Sequence, residues 1–342
     1  QPRILQALTG APTESDDKDA EWWIAAARKP LEQSLPVLVS PAQTPPRIVV
    51  LDEEQRYEEL YGQVFERLGV RPMSGFNRSV EEVLAMKPDA ILLSREWTYT
   101  WRLIAAAARR ANVPVIYVMD GVIEWSYVWN NLTFVKPEGT VLQPLLASHL
   151  SVIGRHPARI LAGLGLADRT HLVGLPRLDR SARAPRNARG QKPKLLISTA
   201  KAPGHNTEHK VLVRRALRDL KQWFDQNPFV TPVWRIADQY AGDIGVRAER
   251  AGTFQEALAE VSGVLSFTST CLLEAMLQGV PTAQVDYRAV PLYVQTAWEV
   301  RSAEHIPGVI QELLYPPPEK LALQEQCFED EVEPGDASER LA

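Results

Sequence analysis

From Pro46 onward the chain alternates short, almost unbroken apolar runs with longer stretches in which apolar residues recur every three or four positions. "RIVVLD", "DAILLSRE" and "VPVIYVMDG" are rich in Val, Ile and Leu, the pattern of strands buried on both faces. Between them, "EEQRYEELYGQVFERLG" reads as an amphipathic helix ending at Gly69. "SVEEVLAMKP" and "TYTWRLIAAAARRAN" read as two more helices. "LLASHLSVIG", "HPARILAGLGL" and "RTHLVGLPRLDR" continue the series as strand, helix, and a strand ending in a turn.

The stretch "SARAPRNARGQKP" is basic and polar, contains Pro and Gly, and has no apolar period, as a linker does. A second block repeats the alternation: "KLLISTA", "TPVWRIAD", "SGVLSF" and "VPTAQVDY" as strands. "EHKVLVRRALRDLKQWFDQN", "TFQEALAEV" and "STCLLEAMLQG" are helices. The expected division is an extension over 1–45, a first α/β domain over 46–180 and a linker over 181–193. A second α/β domain covers 194–315, and closing helices cover 316–342. The fold class is therefore α/β, two doubly wound parallel-sheet domains facing across a cleft. Residues 1–45 are irregular. One short helix there carries Trp22 and Trp23, which cannot share a face, so a packed arm is favoured over a membrane contact.

Composition narrows the function. At 342 residues the chain is too long for one ordinary core. A net charge of -4 gives no general reason to expect nucleic acid, which would favour a basic face. Cys271 and Cys327 lie far apart and form no metal-ligand spacing, so no zinc site and a reducing compartment are expected. No apolar run approaches the roughly 20 residues needed to span a bilayer. The chain starts at Gln1, consistent with processing or truncation that could have removed a targeting signal.

In doubly wound folds ligands bind beyond the carboxyl ends of the strands. There the first block carries Asp52, Glu96 and Asp120; the second carries Lys201, Arg235 and a hydroxyl-rich segment, "SFTST". Carboxylates on one wall and cations with hydroxyls on the other suit group transfer: a base for an acceptor, donors for an anionic leaving group. Thr268, Ser269 and Thr270 fall at a helix start, where free N–H groups favour an anion; the competing reading is a plain N-cap. Glu274 lies one turn further on. A capping box would need Ser or Thr three residues earlier, and Cys271 stands there, leaving Glu274 free to accept from a ribose-like diol. Asp120 before Gly121 is either a turn residue or a base, with Glu96 the second candidate base and Glu124 also available.

Strand, S-x-T-S-T-x-L-L-E-A-M-x-x-G-V-P resembles the donor-binding segment of GT-B-fold glycosyltransferases. "HLVGLPRLDR" resembles the G-x-P-R-x-D element of bacterial surface-polysaccharide transferases, including the CDP-glycerol polymerase group and capsule enzymes. "EVEPGDASERLA" is similar to their C-terminal G-x-A-S-x-R helix. Together these span about residues 46 to 342. The resemblance implies that Thr268, Ser269 and Thr270 hold the nucleotide phosphate, that Glu274 contacts ribose, and that Lys201 is a phosphate-contacting cation. His205, beside Gly204 in the loop after Lys201, and Arg235 at a strand end are the further candidate donor contacts among the residues themselves. Arg177 either contacts the donor or fixes the interdomain turn.

"MDGVIEW" has Asp120-Gly121 where many such enzymes have His-Gly, and is similar to the acidic motif of bacterial sialyl- and Kdo-transferases. Those carry a His-Pro pair in the second domain that this sequence lacks: His156-Pro157 comes earlier, as a helix start, so the donor base stays open. Trp97, Trp101, Trp125 and Trp129 near the same edge suit either sugar faces or core packing.

The resemblance implies a metal-independent, cofactor-free glycosyltransferase moving a sugar from a nucleotide-activated donor to a saccharide or lipid-linked acceptor in surface polysaccharide (capsule or O-antigen) biosynthesis. It would be cytoplasmic and, with a lipid-linked acceptor, peripheral at the inner membrane. Whether Asp120 acts as base or nucleophile, hence inverting or retaining, stays open. A nucleotide-sugar 2-epimerase of the same fold and a non-catalytic carbohydrate-binding relative are the alternatives.

Overall fold

A computed structural model describes residues 45–96, 98–129, 142–179, 181, 192–200 and 206–342. The N-terminal arm, most of the linker, Trp97, Lys201 and His205 therefore lie outside the described residues. The first sheet contains β1 (Ile48–Val50), β2 (Met73–Ser74), β3 (Ala90–Leu93), β4 (Val115–Val118), β5 (His149–Val152) and β6 (Thr170–Leu172). They pair in parallel in the order β2-β1-β3-β4-β5-β6. The helices here are α1 (Glu54–Leu68), α2 (Val80–Ala85), α3 (Tyr99–Arg110), α4 (Trp125–Trp129) and α5 (Arg155–Gly163).

The second sheet contains β7 (Lys194–Ser198), β8 (Thr231–Arg235), β9 (Gly263–Phe267), β10 (Thr282–Val285) and β11 (Trp298–Val300), again parallel, in the order β11-β10-β9-β7-β8. Its helices are α6 (Thr207–Gln226), α7 (Asp238–Ile244), α8 (Phe254–Ala259) and α9 (Cys271–Leu277). Then follow α10 (Ile306–Leu314), α11 (Pro318–Glu331) and α12 (Ala337–Leu341). In both sheets the strand order reverses beside the first strand, between β1 and β3 and between β7 and β9, which creates the crevice where such folds take ligands.

The local chemistry explains the elements. Ser79 with Glu82 and Thr253 with Glu256 form reciprocal capping boxes at α2 and α8. Gly69 ends α1 in the left-handed conformation at φ 63, where a Cβ would be strained. All five residues of β9 are buried, as expected for a central strand covered on both faces. Leu195, Ile197, Leu265, Phe267, Ala283 and Val285 point to one face of the second sheet, Leu196 and Val264 to the other. The very short β2, and β11, α4, α7 and the nine-residue α10, were not read from the apolar pattern.

Two features tie the domains together. Leu272, Leu273 and Met276 of α9 pack into the core of the first domain, while Ala275 on the same helix packs against its own sheet. "LLEAM" is apolar nearly all round because it is buried from two sides. The C-terminal segment also returns to the first domain. Glu331 of α11 meets His156 at 2.5 Å, and Glu333 N donates to Ile153 O. A Cβ on Gly154 would overlap the Glu331 carbonyl, so this crossing requires glycine.

Two of the three sequence motifs turn out to bind one another. Asp179, last of G-x-P-R-x-D, accepts from Ala337 N at 3.1 Å and from Ser338 N and Oγ at 2.8 and 2.6 Å. Arg340 of the C-terminal motif donates to Val173 O beside Gly174. Gly174 has φ +101, and a Cβ there would press on Ala337 and Arg340. Asp179→Ala leaves those donors without their acceptor, so unfolding stability should fall by about 1–3 kcal/mol, read as a lower midpoint in urea with unchanged slope.

Candidate functional site

The carboxyl edges of both sheets face each other. Gly121, after β4, packs so closely on Thr270, after β9, that a Cβ would overlap the threonine hydroxyl. Arg288, after β10, donates to Ser126 Oγ at 2.6 Å and pairs with Asp286 at 2.6 Å and with Glu124. Glu124 is thus buried against this arginine rather than free as a base. Trp129 Nε1 donates to Tyr293 OH at 2.7 Å across the same seam.

At the centre of this junction lies a chain of charges. Asp52, at the end of β1, is fully buried and accepts from Tyr61 OH, Ser94 N and Ser94 Oγ, each at 2.7 Å. Arg56, one turn into α1, donates from Nε to Ser94 Oγ at 3.0 Å and approaches Asp52 at 3.4 Å. Its other end binds Asp120. Arg177 reaches across to Glu274 of α9 at 2.9 Å.

Asp120 is on the cleft wall with 37% of its side chain exposed. Crowding by the facing walls raises its carboxyl above the ordinary aspartate range; Arg56 and Arg177 oppose this and Asp52 adds to it. Glu274 is likewise raised by burial, against the pull of Arg177 and with the push of Glu59 on α1. A raised carboxylate beside cations, in a crevice, is the arrangement from which a proton acceptor is built.

The remaining sequence candidates separate. Glu96 is not a cleft base: it is 0% exposed, accepts from Leu146 N at 2.9 Å and from Ala147 N, and faces the equally buried Arg102 at 3.6 Å. It anchors the segment before β5. Glu274 is not free either, since Arg177 holds one of its oxygens. Arg235 turns to its own domain and donates to Ala251 O and Gly252 O at 2.9 and 3.2 Å. The expected split of carboxylates on one wall and cations on the other is also corrected, because Arg56 and Arg177 both stand on the carboxylate side. Trp101 belongs to the core, whereas Trp129 is 48% exposed.

The hydroxyl segment is prearranged from below. Ser198 of β7, Ser266 of β9 and Gln284 of β10 occupy one register row and are all buried. Ser198 Oγ donates to Ser266 Oγ at 2.8 Å, and Ser266 Oγ to Phe267 O at 2.9 Å. Gln284 Nε2 donates to Thr268 Oγ1 at 2.8 Å. Ser269 Oγ accepts from Cys271 N at 3.4 Å, and the Thr270 side chain makes no cap. Three polar residues inside strands at one level were the missed signal for this floor. Arg56, four residues after Asp52, was the missed signal for the partner of Asp120. Among the described residues no group of three or more His, Cys, Asp or Glu is placed to hold a metal ion.

No protein-family model matches this chain, and no curated protein does. Solved structures are similar over most of it. A putative UDP-N-acetylglucosamine 2-epimerase from Listeria monocytogenes is 13% identical, over 87% of this chain and 95% of that one, with a TM-score of 0.58. The UDP-GlcNAc 2-epimerase of Methanocaldococcus jannaschii, in complex with UDP-GlcNAc and UDP, is 12% identical over 86% and 97%, at 0.56. The wall teichoic acid polymerase TagF, with CDPG, is 12% identical over 87% of each chain, at 0.56. At such identities the likeness shows the fold: two parallel-sheet α/β domains of the GT-B type.

Proposed function

We propose that this chain is an enzyme acting on a nucleotide-activated sugar, a glycosyltransferase that serves bacterial surface-polysaccharide biosynthesis. The observation that supports it most is the meeting of Asp120, Arg177 and Glu274 where the carboxyl edges of both sheets converge. In this reading Asp120 removes the proton of the acceptor hydroxyl as it attacks the sugar. Thr268, Ser269 and Thr270 receive the nucleotide phosphate, with Lys201 and His205 as the cations and donors that the sequence resemblance adds. Glu274 accepts from the ribose. The nucleotide sugar is a substrate; no resident cofactor enters the scheme.

The acceptor is a saccharide, or a glycan on a lipid that would bring the enzyme to the cytoplasmic face of a membrane. No described helix is long and apolar enough to cross one. The second reading, 2-epimerisation, is favoured by the two structural neighbours whose names carry that activity and whose length this chain nearly spans. The readings differ in their need for an acceptor: an epimerase turns over the nucleotide sugar alone.

Calorimetric titration of UDP, CMP, CDP and GDP tests the common premise. One nucleotide is expected to bind the wild type and to lose at least about tenfold in affinity in Ser269→Ala/Glu274→Ala, as removal of charge-assisted hydrogen bonds does. Silence with all four nucleotides would leave a carbohydrate-binding relative in place of either enzyme.

A further inference from the structure

One ion pair in the cleft joins the proposed donor site to the opposite domain, beside the close packing of Gly121 on Thr270. Arg177 stands in the turn after β6, on the first domain, and its guanidinium reaches Glu274 on α9, in the second, at 2.9 Å. Only one oxygen of Glu274 is engaged in that bond. Arg177 Nε is buried and has no hydrogen-bond partner among the described residues. Its backbone is fixed from both sides. Pro176 and Leu178 are buried, and Asp179 is held by three hydrogen bonds from Ala337 and Ser338 of the C-terminal helix.

We propose that Arg177 is a positioning residue acting across the domains: it holds one oxygen of Glu274 and fixes the carboxylate's orientation, leaving the other oxygen for the ribose diol of a nucleotide donor. This rests on the donor-binding function proposed above. Its consequence is that recognition of the donor by the second domain is completed by the first, and by the C-terminal helix that sets the turn. The G-x-P-R-x-D turn, the C-terminal A-S-x-R helix and the glutamate of α9 then form one mechanical unit, although 159 residues separate Asp179 from Ser338 and 97 separate Arg177 from Glu274.

The charges around Glu274 give the idea a distinctive signature. Burial raises its carboxyl, Glu59 of α1 raises it further, and Arg177 lowers it. Asp120 shares the field of Arg177 from the β4 end, and the Cys271 thiol on the same helix feels Glu274, Arg177 and Arg235. A diol donates two O–H groups, which an ionised carboxylate accepts and a protonated one does not fully accept. Without Arg177 the carboxyl takes up its proton at higher pH, so the affinity lost in a variant must grow as pH falls. Loss of a cation that merely attracts the phosphate would weaken binding at every pH where the phosphate charge is constant.

The test is titration of UDP, CMP, CDP and GDP into the full chain between pH 5.5 and 8.5, comparing wild type, Arg177→Ala, Arg177→Lys and Glu274→Gln. Glu274→Gln supplies the background with no carboxyl to titrate. Arg177→Ala should bind about tenfold more weakly near neutral pH, with the deficit widening toward acid. Arg177→Lys should recover most of the affinity and the wild-type pH dependence. If Arg177→Ala keeps the wild-type pH dependence while Glu274→Gln loses affinity, the positioning role is overturned and the donor site survives. If the wild type binds none of the four, the donor-binding function fails and this inference fails with it.

Discussion

Asp120→Asn should lower kcat/KM for sugar transfer by about 10²- to 10⁴-fold, the usual contribution of a positioned proton acceptor, while leaving the midpoint of unfolding nearly unchanged. Asparagine has the shape of aspartate and can still accept from Arg56, but cannot take a proton at neutral pH. Stability should be spared because the native carboxylate is held in crowded surroundings that disfavour its charge. A proton acceptor works only when ionised. Burial raises Asp120, so the acid limb of the pH–rate profile should fall at a higher pH than an ordinary aspartate gives. Steady-state kinetics from pH 4.5 to 8 with donor and acceptor, beside a melting curve, decides the matter. Full activity in the variant would remove Asp120 from the chemistry.

Glu96→Ala should do the opposite, lowering stability by about 3–5 kcal/mol because Arg102 is left as a buried charge without its counter-ion. Leu146 N and Ala147 N lose their acceptor at the same time, and buried N–H groups without partners add to the cost. Urea denaturation of the variant measures this directly. Whatever fraction stays folded should turn over at nearly the wild-type rate, since the carboxyl faces the core. A stable but inactive Glu96→Ala would reverse the two assignments. Together the variants separate two acidic residues that the sequence places identically, each just beyond the end of an apolar strand.

Much of the architecture was legible because its causes are local. Val- and Ile-rich runs of four or five residues, helices of 12 to 20 residues with one apolar face, and Ser or Thr caps followed by Glu all act within a few positions. That Asp120 and the Thr268–Thr270 segment lie at the business end of their sheets also follows from the alternation alone, since every parallel strand exposes its carboxyl end on the same edge. Among the elements missed, β2 and α4 are too short for a period to show.

By itself, then, the sequence determined two parallel α/β domains, the edge at which the candidate site residues lie, and the order of three motifs along the chain. The tertiary structure alone decided which carboxylate faces the cleft, that Arg56 and Arg177 stand on the acidic wall, and that the first and last motifs along the chain grip each other. The reason is physical. Propensity, capping and periodicity are set by neighbours within one or two helical turns. The burial of a charge and the choice of its partner are set by groups brought together over tens to hundreds of residues, 50 for Glu96 with Leu146, 64 for Arg56 with Asp120 and 159 for Asp179 with Ser338.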